Sequence, residues 1–341
     1  MIYDRIIIRL DAGIRYGLGH LSRCITIANA SSKSEVVFII KTDDKELVKN
    51  YIDSYYKHKF ILINISEDTS ISDEINTIAE YCVDNYYLIV DHYSANENYQ
   101  IKLFNKKINW LQLDSHAKYK FYSNFVLHGS PGATLEIYDP LKQNPNTKFL
   151  LGTNYAIIKD TLQDLKHKRI PRKKINNIVI SFGGGDDRGM TIKCLESIDF
   201  KKFKNLKFRV TLNKKNRDYP TVYEIIKNNE KIDLFEPKDL HKIMSESDLS
   251  IIAPGMTSYE SAYLGLPMLF YTLADNQLIN AKSWENTGCA VNIADIDKSY
   301  RDINCILEDL ISSDIFQKMS EKCLSLVDGD GVKRVIEAIN L

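Results

Sequence analysis

The chain has 341 residues with 45 basic and 45 acidic side chains, so no excess charge draws it to nucleic acid or acidic lipid. Apolar residues make up 44% and charged residues 26%, which excludes a disordered or fibrous chain, and the length asks for two domains of about 100 to 200 residues each. The longest apolar stretches, such as Ile6 to Ile8 and Leu266 to Tyr271, fall far short of the ~20 residues of a membrane helix.

Met1 to Arg5 carries no signal-peptide pattern, so the expectation is a soluble, cytoplasmic monomer with neither membrane nor nucleic acid as partner. Cys24, Cys82, Cys194, Cys289, Cys305 and Cys323 are scattered without a Cys-x-x-Cys pair and are read as reduced thiols, with no metal site.

In chain order, short β-branched or apolar runs occur at Arg5 to Arg9, Glu35 to Ile40, Phe60 to Ile63, Tyr87 to Val90, Trp110 to Leu113 and Asn124 to Leu127. Segments with helical apolar spacing separate them, and that alternation predicts parallel βαβ units. After the first run, Asp11-Ala12-Gly13-Ile14-Arg15-Tyr16-Gly17-Leu18-Gly19-His20 forms a glycine-rich turn into a helix whose Leu21, Ile25 and Ala28 share one face. Gly17 and Gly19 let backbone amides approach a ligand, and the helix start offers unpaired N–H groups to an anion, so a diphosphate suits the turn. The dinucleotide fingerprint fails: a third glycine is missing and no acidic residue is clearly placed at the end of the second strand. His20 can take a proton from water near neutral pH, although a capping or surface role also suits a histidine there.

Lys159 to Lys174, basic and interrupted by Pro171, reads as a solvated linker, which sets the domains at 1–170 and 171–341, with the last helix packing back on the first domain. A second series of strands follows at Asn177 to Phe182, Leu206 to Thr211, Ile232 to Phe235, Leu249 to Ile252, Met268 to Tyr271 and Ala290 to Ile293. Gly183, Gly184 and Gly185 follow its first strand as a candidate phosphate loop. Gly255, Thr257 and Glu260 lie where a buried strand turns into a helix. Glu260 there can accept hydrogen bonds from ribose hydroxyls or simply favour the helix N-terminus.

With Val90-Asp91-His92-Tyr93, Leu151-Gly152-Thr153-Asn154-Tyr155-Ala156, Asn276-Gln277 and Asp328-Gly329-Asp330-Gly331 with Arg334, these segments resemble the pseudaminic acid pathway hydrolases. That family removes UDP from UDP-2,4-diacetamido-2,4,6-trideoxy-β-L-altropyranose and shares the GT-B fold with the MurG-type glycosyltransferases. The resemblance spans nearly the whole chain. It implies two Rossmann-like doubly wound domains facing a cleft, no cofactor, and a UDP-sugar as partner. It further implies His20 as general base, Gly17, Gly19, Gly183, Gly184, Gly185, Gly255, Thr257 and Glu260 around UDP, and Asp11, Asp91, Tyr93, Asn276 and Gln277 toward the sugar.

The sequence departs from the family where paired aspartates are expected, since Leu113-Asp114-Ser115-His116 keeps only Asp114, and His128-Gly129-Ser130-Pro131-Gly132-Ala133 also differs. His92 and His116 are alternative bases, read as structural. The implied chemistry is metal-independent attack of water at the anomeric carbon with inversion. A GT-B glycosyltransferase and a non-catalytic nucleotide-sugar binding protein are the alternatives.

Overall fold

The computed structural model describes residues 3–31, 34–183, 187–273, 277–294 and 301–339. The chain divides into two compact units, the first comprising Met1–Lys159 with Gly329–Leu341, the second Asp160–Asp328.

Unit 1 is built on seven parallel strands: β1 (Arg5–Asp11), β2 (Glu35–Lys41), β3 (Phe60–Ile65), β4 (Tyr86–Asp91), β5 (Trp110–Leu113), β6 (Phe125–His128) and β7 (Lys148–Leu151). Their order across the sheet is β3-β2-β1-β4-β5-β6-β7. The central strands read as unbroken apolar runs because both faces are covered. Ile6, Ile8 and Leu10 pack on one side with Leu21 and Ile25 of the helix Gly19–Ala30, while Ile7, Val37, Leu88 and Val90 pack on the other with Ile75, Ile78 and Tyr99. The six strands expected in this half are all present. β7 is an addition, short and with only three apolar residues, Phe149, Leu150 and Leu151.

The last helix, Gly331–Ile339, belongs to unit 1 and buries Val332, Val335 and Ile339 beside Leu21 and Ile25. Its first residue must be glycine, because a Cβ there would lie 2.1 Å from the carbonyl oxygen of Ala156. Arg334 donates from Nη1 to the Asn154 carbonyl at 2.9 Å, so two of the segments that carry the family resemblance meet as packing partners.

Among its described residues unit 2 holds six parallel strands: β8 (Asn177–Ser181), β9 (Lys207–Thr211), β10 (Ile232–Phe235), β11 (Leu249–Ile252), β12 (Met268–Tyr271) and β13 (Ala290–Ala294). Their order is β10-β9-β8-β11-β12-β13, the same winding as in unit 1. The basic segment expected to be a solvated linker is in part a structural clamp. Arg169 donates from Nε to the Tyr263 carbonyl at 2.8 Å and from Nη2 to the Val327 carbonyl at 2.8 Å, while its guanidinium lies 4.6 Å from the Tyr263 ring centroid. It thereby serves carbonyls at the ends of the helices Met256–Tyr263 and Ile315–Leu326, as a planar multi-donor group can. Arg172 is buried, and its amide donates to Ser320 Oγ at 2.8 Å. Among the described residues no helix is long and apolar enough to cross a membrane.

Candidate functional site

In a doubly wound sheet the strand order reverses at one point, and the loops leaving the carboxyl ends of the two strands there diverge to opposite faces and leave a crevice. In unit 1 that point lies between β1 and β4. The glycine-rich loop leaves β1, and its conformation is fixed by two devices. The Gly13 amide donates to the Gly17 carbonyl at 3.2 Å, and Asp43 accepts from the Ile14 amide at 2.9 Å and the Arg15 amide at 3.0 Å. A side chain on Gly13 would put its Cβ 1.8 Å from Asp43 Oδ1, so the clamp demands glycine. Asp43 follows β2, so an acidic residue does stand at the end of the second strand, contrary to the sequence reading. Its carboxylate is engaged with the loop backbone.

The loop delivers the helix Gly19–Ala30, whose start has no side-chain cap. Gly17 and Gly19 are exposed at its mouth and His20 is buried, 7% accessible. Across the reversal point, Asp91 ends β4 and pairs with His20: Nδ1 lies 2.7 Å from Asp91 Oδ1. A carboxylate oxygen can only accept, so the shorter contact, to Asp91, requires the hydrogen on Nδ1 and leaves the lone pair on Nε2; the Arg23 Nη2 donor, 3.1 Å from the same Nδ1, is then turned to Asp91. Arg23, one helical turn after His20, donates from Nε to Asp91 Oδ2 at 2.6 Å, and its Nη2 also bonds Asp91 Oδ1. Burial would push the Asp91 carboxyl up, but the Arg23 charge and the hydrogen bonds from Arg23 and His20 hold it far below the usual carboxylate range. Cys24 donates its thiol to Asp91 Oδ2 at 3.5 Å, and burial, then the Asp91 charge, pushes that thiol well up.

Tyr93, two residues after Asp91, is 56% exposed and meets the His20 ring edge-to-face at 4.7 Å. His116, beyond β5, also meets the Tyr93 ring edge-to-face, at 5.2 Å. Asp11 is held apart from the His20 pair in a buried ion network: Arg9 donates from Nη1 to Asp11 at 2.7 Å and from Nε to Glu74 at 2.6 Å. His92 belongs to the same buried layer, with Nδ1 2.9 Å from Ser94 Oγ and burial holding it well below the ordinary histidine range.

In unit 2 the reversal point lies between β8 and β11. Gly183, exposed and with φ of +100°, follows β8; Gly184, Gly185 and Asn276 lie outside the described residues. The next helix, Met190–Ser197, already has an anion at its start, because Asp187 accepts from the Gly189 amide at 3.2 Å and the Thr191 amide at 2.9 Å. The helix Met256–Tyr263 has no such side-chain cap, and Gly255 and Thr257 stand at its start. Glu260 is on that helix, 2% accessible, with Oε1 3.4 Å from His241 Nε2, and His241 Nδ1 lies 2.7 Å from Thr161 Oγ1. Gln277 commits its carbonyl oxygen to the Leu273 amide at 2.9 Å, and Asn280 donates to the Pro254 carbonyl at 2.8 Å.

No protein-family model matches the chain. Three curated proteins resemble it at low identity. An uncharacterised protein of Methanocaldococcus jannaschii, MJ1062, is 26% identical over 80% of this chain, which spans 56% of that protein. The spore coat polysaccharide biosynthesis protein SpsG of Bacillus subtilis is 23% identical over 83% of this chain and 81% of its own length. A Helicobacter pylori protein named as a pseudaminic acid cytidylyltransferase and UDP-2,4-diacetamido-2,4,6-trideoxy-β-L-altropyranose hydrolase is 25% identical over 82% of this chain, and only 46% of it is covered. The chain thus spans about half the length of two of these relatives. Among solved structures, MurG of Acinetobacter baumannii aligns with a TM-score of 0.69 over 98% of this chain and 99% of its own, at 14% identity. The Staphylococcus aureus MnaA co-structure with UDP aligns at 0.64 over 98% and 96%, at 15% identity.

The fold is GT-B. In both halves most candidate residues lie at the carboxyl ends of the strands that flank the reversal point or on the loops and helices that follow them, and Gln277, after β12, lies one strand further out. Sequence reasoning missed the partners that hold those residues: Arg23 on Asp91, Asp43 on the glycine loop, His241 on Glu260. Arg23 has a legible signal, being three residues after His20 on one helix face. Asp43 and His241 have none, because their pairings form only in the folded GT-B units.

Proposed function

We propose that this chain is an enzyme acting on a UDP-linked sugar, and that it hydrolyses the bond between the anomeric carbon and the diphosphate. The carrying observation is the buried His20–Asp91 pair across the β1/β4 reversal point, with Nε2 left as the accepting nitrogen. In this reading His20 takes a proton from water through Nε2 while the water oxygen attacks the anomeric carbon, the carbon–oxygen bond to the diphosphate breaks, and UDP leaves with inversion. Asp91 stabilises the imidazolium that forms, and Arg23 keeps Asp91 charged and in place.

UDP is assigned to unit 2, with Gly183, Gly255 and Thr257 at the phosphates and Glu260 at the ribose; Gly17 and Gly19 supply amides in unit 1. Tyr93 is assigned to the sugar. Asp11 and Gln277 are retained only as residues that shape their loops, given their present partners. The diphosphate is a good leaving group, and helix-start amides supply charge stabilisation without a metal. The Helicobacter relative carries a hydrolase of this kind in its name, and the UDP-bound MnaA shows that the fold accommodates the nucleotide elsewhere. The competing reading, a glycosyltransferase, draws on the match to MurG.

The deciding experiment incubates purified protein with candidate UDP-sugars, with and without acceptors, in ¹⁸O-labelled water and EDTA. Free sugar carrying the label, with unlabelled UDP, is the expected result. A sugar conjugate would identify a transferase, and neither product would identify a binding protein. Label in the nucleotide, or activity lost to EDTA and restored by Mg²⁺, would overturn the mechanism.

Glu260→Ala is expected to weaken UDP affinity by about 1 to 3 kcal/mol, as removal of a charged hydrogen-bond acceptor does, while leaving turnover at saturation largely intact. Unchanged affinity by calorimetry would restrict Glu260 to its helix and to His241.

A further inference from the structure

A second histidine in unit 1 has its donor and acceptor roles fixed by its neighbours. His128 ends β6, and its Nδ1 lies 2.5 Å from the hydroxyl of Tyr138, a residue 1% accessible. Tyr138 in turn donates its hydroxyl hydrogen to Asp114 Oδ2 at 2.6 Å. A phenol has one hydrogen, so with that hydrogen on Asp114 the oxygen toward His128 can only accept. The hydrogen between Tyr138 and His128 therefore belongs to Nδ1, and the opposite ring edge presents Nε2 as an acceptor, the same state that Asp91 imposes on His20.

Asp114 is itself pinned by the His116 amide at 3.1 Å and the Ala117 amide at 2.7 Å. Burial lowers the His128 pKa to about 4, with Asp114 opposing and Arg23 and His116 adding to the fall, so the ring is neutral at physiological pH. His116 follows β5 and His128 ends the neighbouring β6, while Arg23 lies on the helix that follows β1. β1, β4, β5 and β6 lie side by side, and His20, Tyr93, His116, Asp114, Tyr138 and His128 follow one another in contact along that edge.

We propose that His128, oriented by Tyr138 and Asp114, is a specificity residue whose Nε2 accepts a hydrogen bond from an N–H or O–H of the substrate sugar. This rests on the UDP-sugar reading above and adds a requirement to it: the sugar carries a donor group beside the reacting carbon's neighbourhood, read by a nitrogen that cannot donate. Tyr138 and Asp114 are positioning residues.

The test uses the full-length protein, with imidazole ¹⁵N spectra and calorimetry against UDP and UDP-N-acetylglucosamine as probes. In wild type the His128 hydrogen is expected on Nδ1, and Tyr138→Phe is expected to abolish that preference. Wild type is expected to bind UDP-N-acetylglucosamine more tightly than UDP. His128→Phe should cut that advantage about tenfold while leaving UDP affinity unchanged, and His128→Gln, whose amide oxygen can stand where Nε2 does, should restore part of it. Unchanged ¹⁵N resonances of the other unit 1 imidazoles, His20 and His92 among them, report that the variants fold.

A hydrogen on Nε2, equal wild-type affinity for the two probes, or an advantage untouched by His128→Phe would each overturn the inference while UDP binding left the nucleotide reading standing. A wild type that binds neither probe would remove the nucleotide reading and this inference with it.

Discussion

His20→Asn is expected to lower turnover of the UDP-sugar by about 10² or more, the scale of a lost general base, with UDP affinity nearly unchanged. Asparagine keeps a donor close to where Nδ1 stands, so the bond to Asp91 Oδ1 can persist and the Arg23–Asp91 pair stays intact. What disappears is Nε2, the one atom of the pair that can receive a proton from water. The nucleotide contacts proposed for Glu260, Gly255 and Thr257 belong to unit 2, whereas His20 belongs to unit 1, so binding and turnover should separate in this variant. Steady-state turnover and UDP calorimetry on the same preparation check both halves. Equal turnover in wild type and variant would remove His20 from the chemistry, and a matching loss of UDP affinity would make it a binding residue.

Why His20 was legible while its setting was not follows from the ranges over which sequence patterns act. A strand, a glycine turn and an amphipathic helix are local patterns, so the loop after β1 and the residue at its end could be read directly. The pairing with Asp91 joins positions 71 residues apart and depends on β4 lying beside β1. Among the described residues thirteen parallel strands left twelve readable apolar runs, because strands covered on both faces have little choice of residue. The exception, β7, is four residues long and starts with an exposed lysine, too short to stand out from a loop.

The misread linker has a similar cause. A basic run with proline looks solvated in one dimension, yet two helix ends in unit 2 present carbonyls that only a multi-donor side chain such as Arg169 satisfies together. The glycine-rich segment after β8 shows the limit of motif reading in another way. Asp187, inside the motif, already serves the helix start that the motif would offer to a phosphate.

Asp91 is where stability and chemistry meet, and two substitutions there are expected to differ in a way that exposes its role. Asp91→Ala removes the acceptor and leaves His20 free to adopt either tautomer. Asp91→Asn can turn its amide toward Nδ1 and donate, which moves the imidazole hydrogen to Nε2 and blocks the accepting edge. Turnover is therefore expected to fall about 10² or more for Asn, and at least as far as for Ala, although Asn is the closer match in shape.

Both variants strand the Arg23 guanidinium, whose side chain is 15% accessible, beside a site with no charge, and should lose about 3 to 5 kcal/mol of unfolding free energy at pH 7, the range for breaking a buried pair from one side. The folded-state Asp91 carboxyl lies below its unfolded value of about 3.9, so its stabilisation is complete above that pH and is lost as the pH falls through the folded value. Urea unfolding of wild type and variants should show a gap that is constant from pH 7 down to about pH 5 and narrows in stronger acid. A gap that widens in acid would assign the loss to another group, and an Asn variant more active than Ala would show that Asp91 orients His20 without fixing its tautomer.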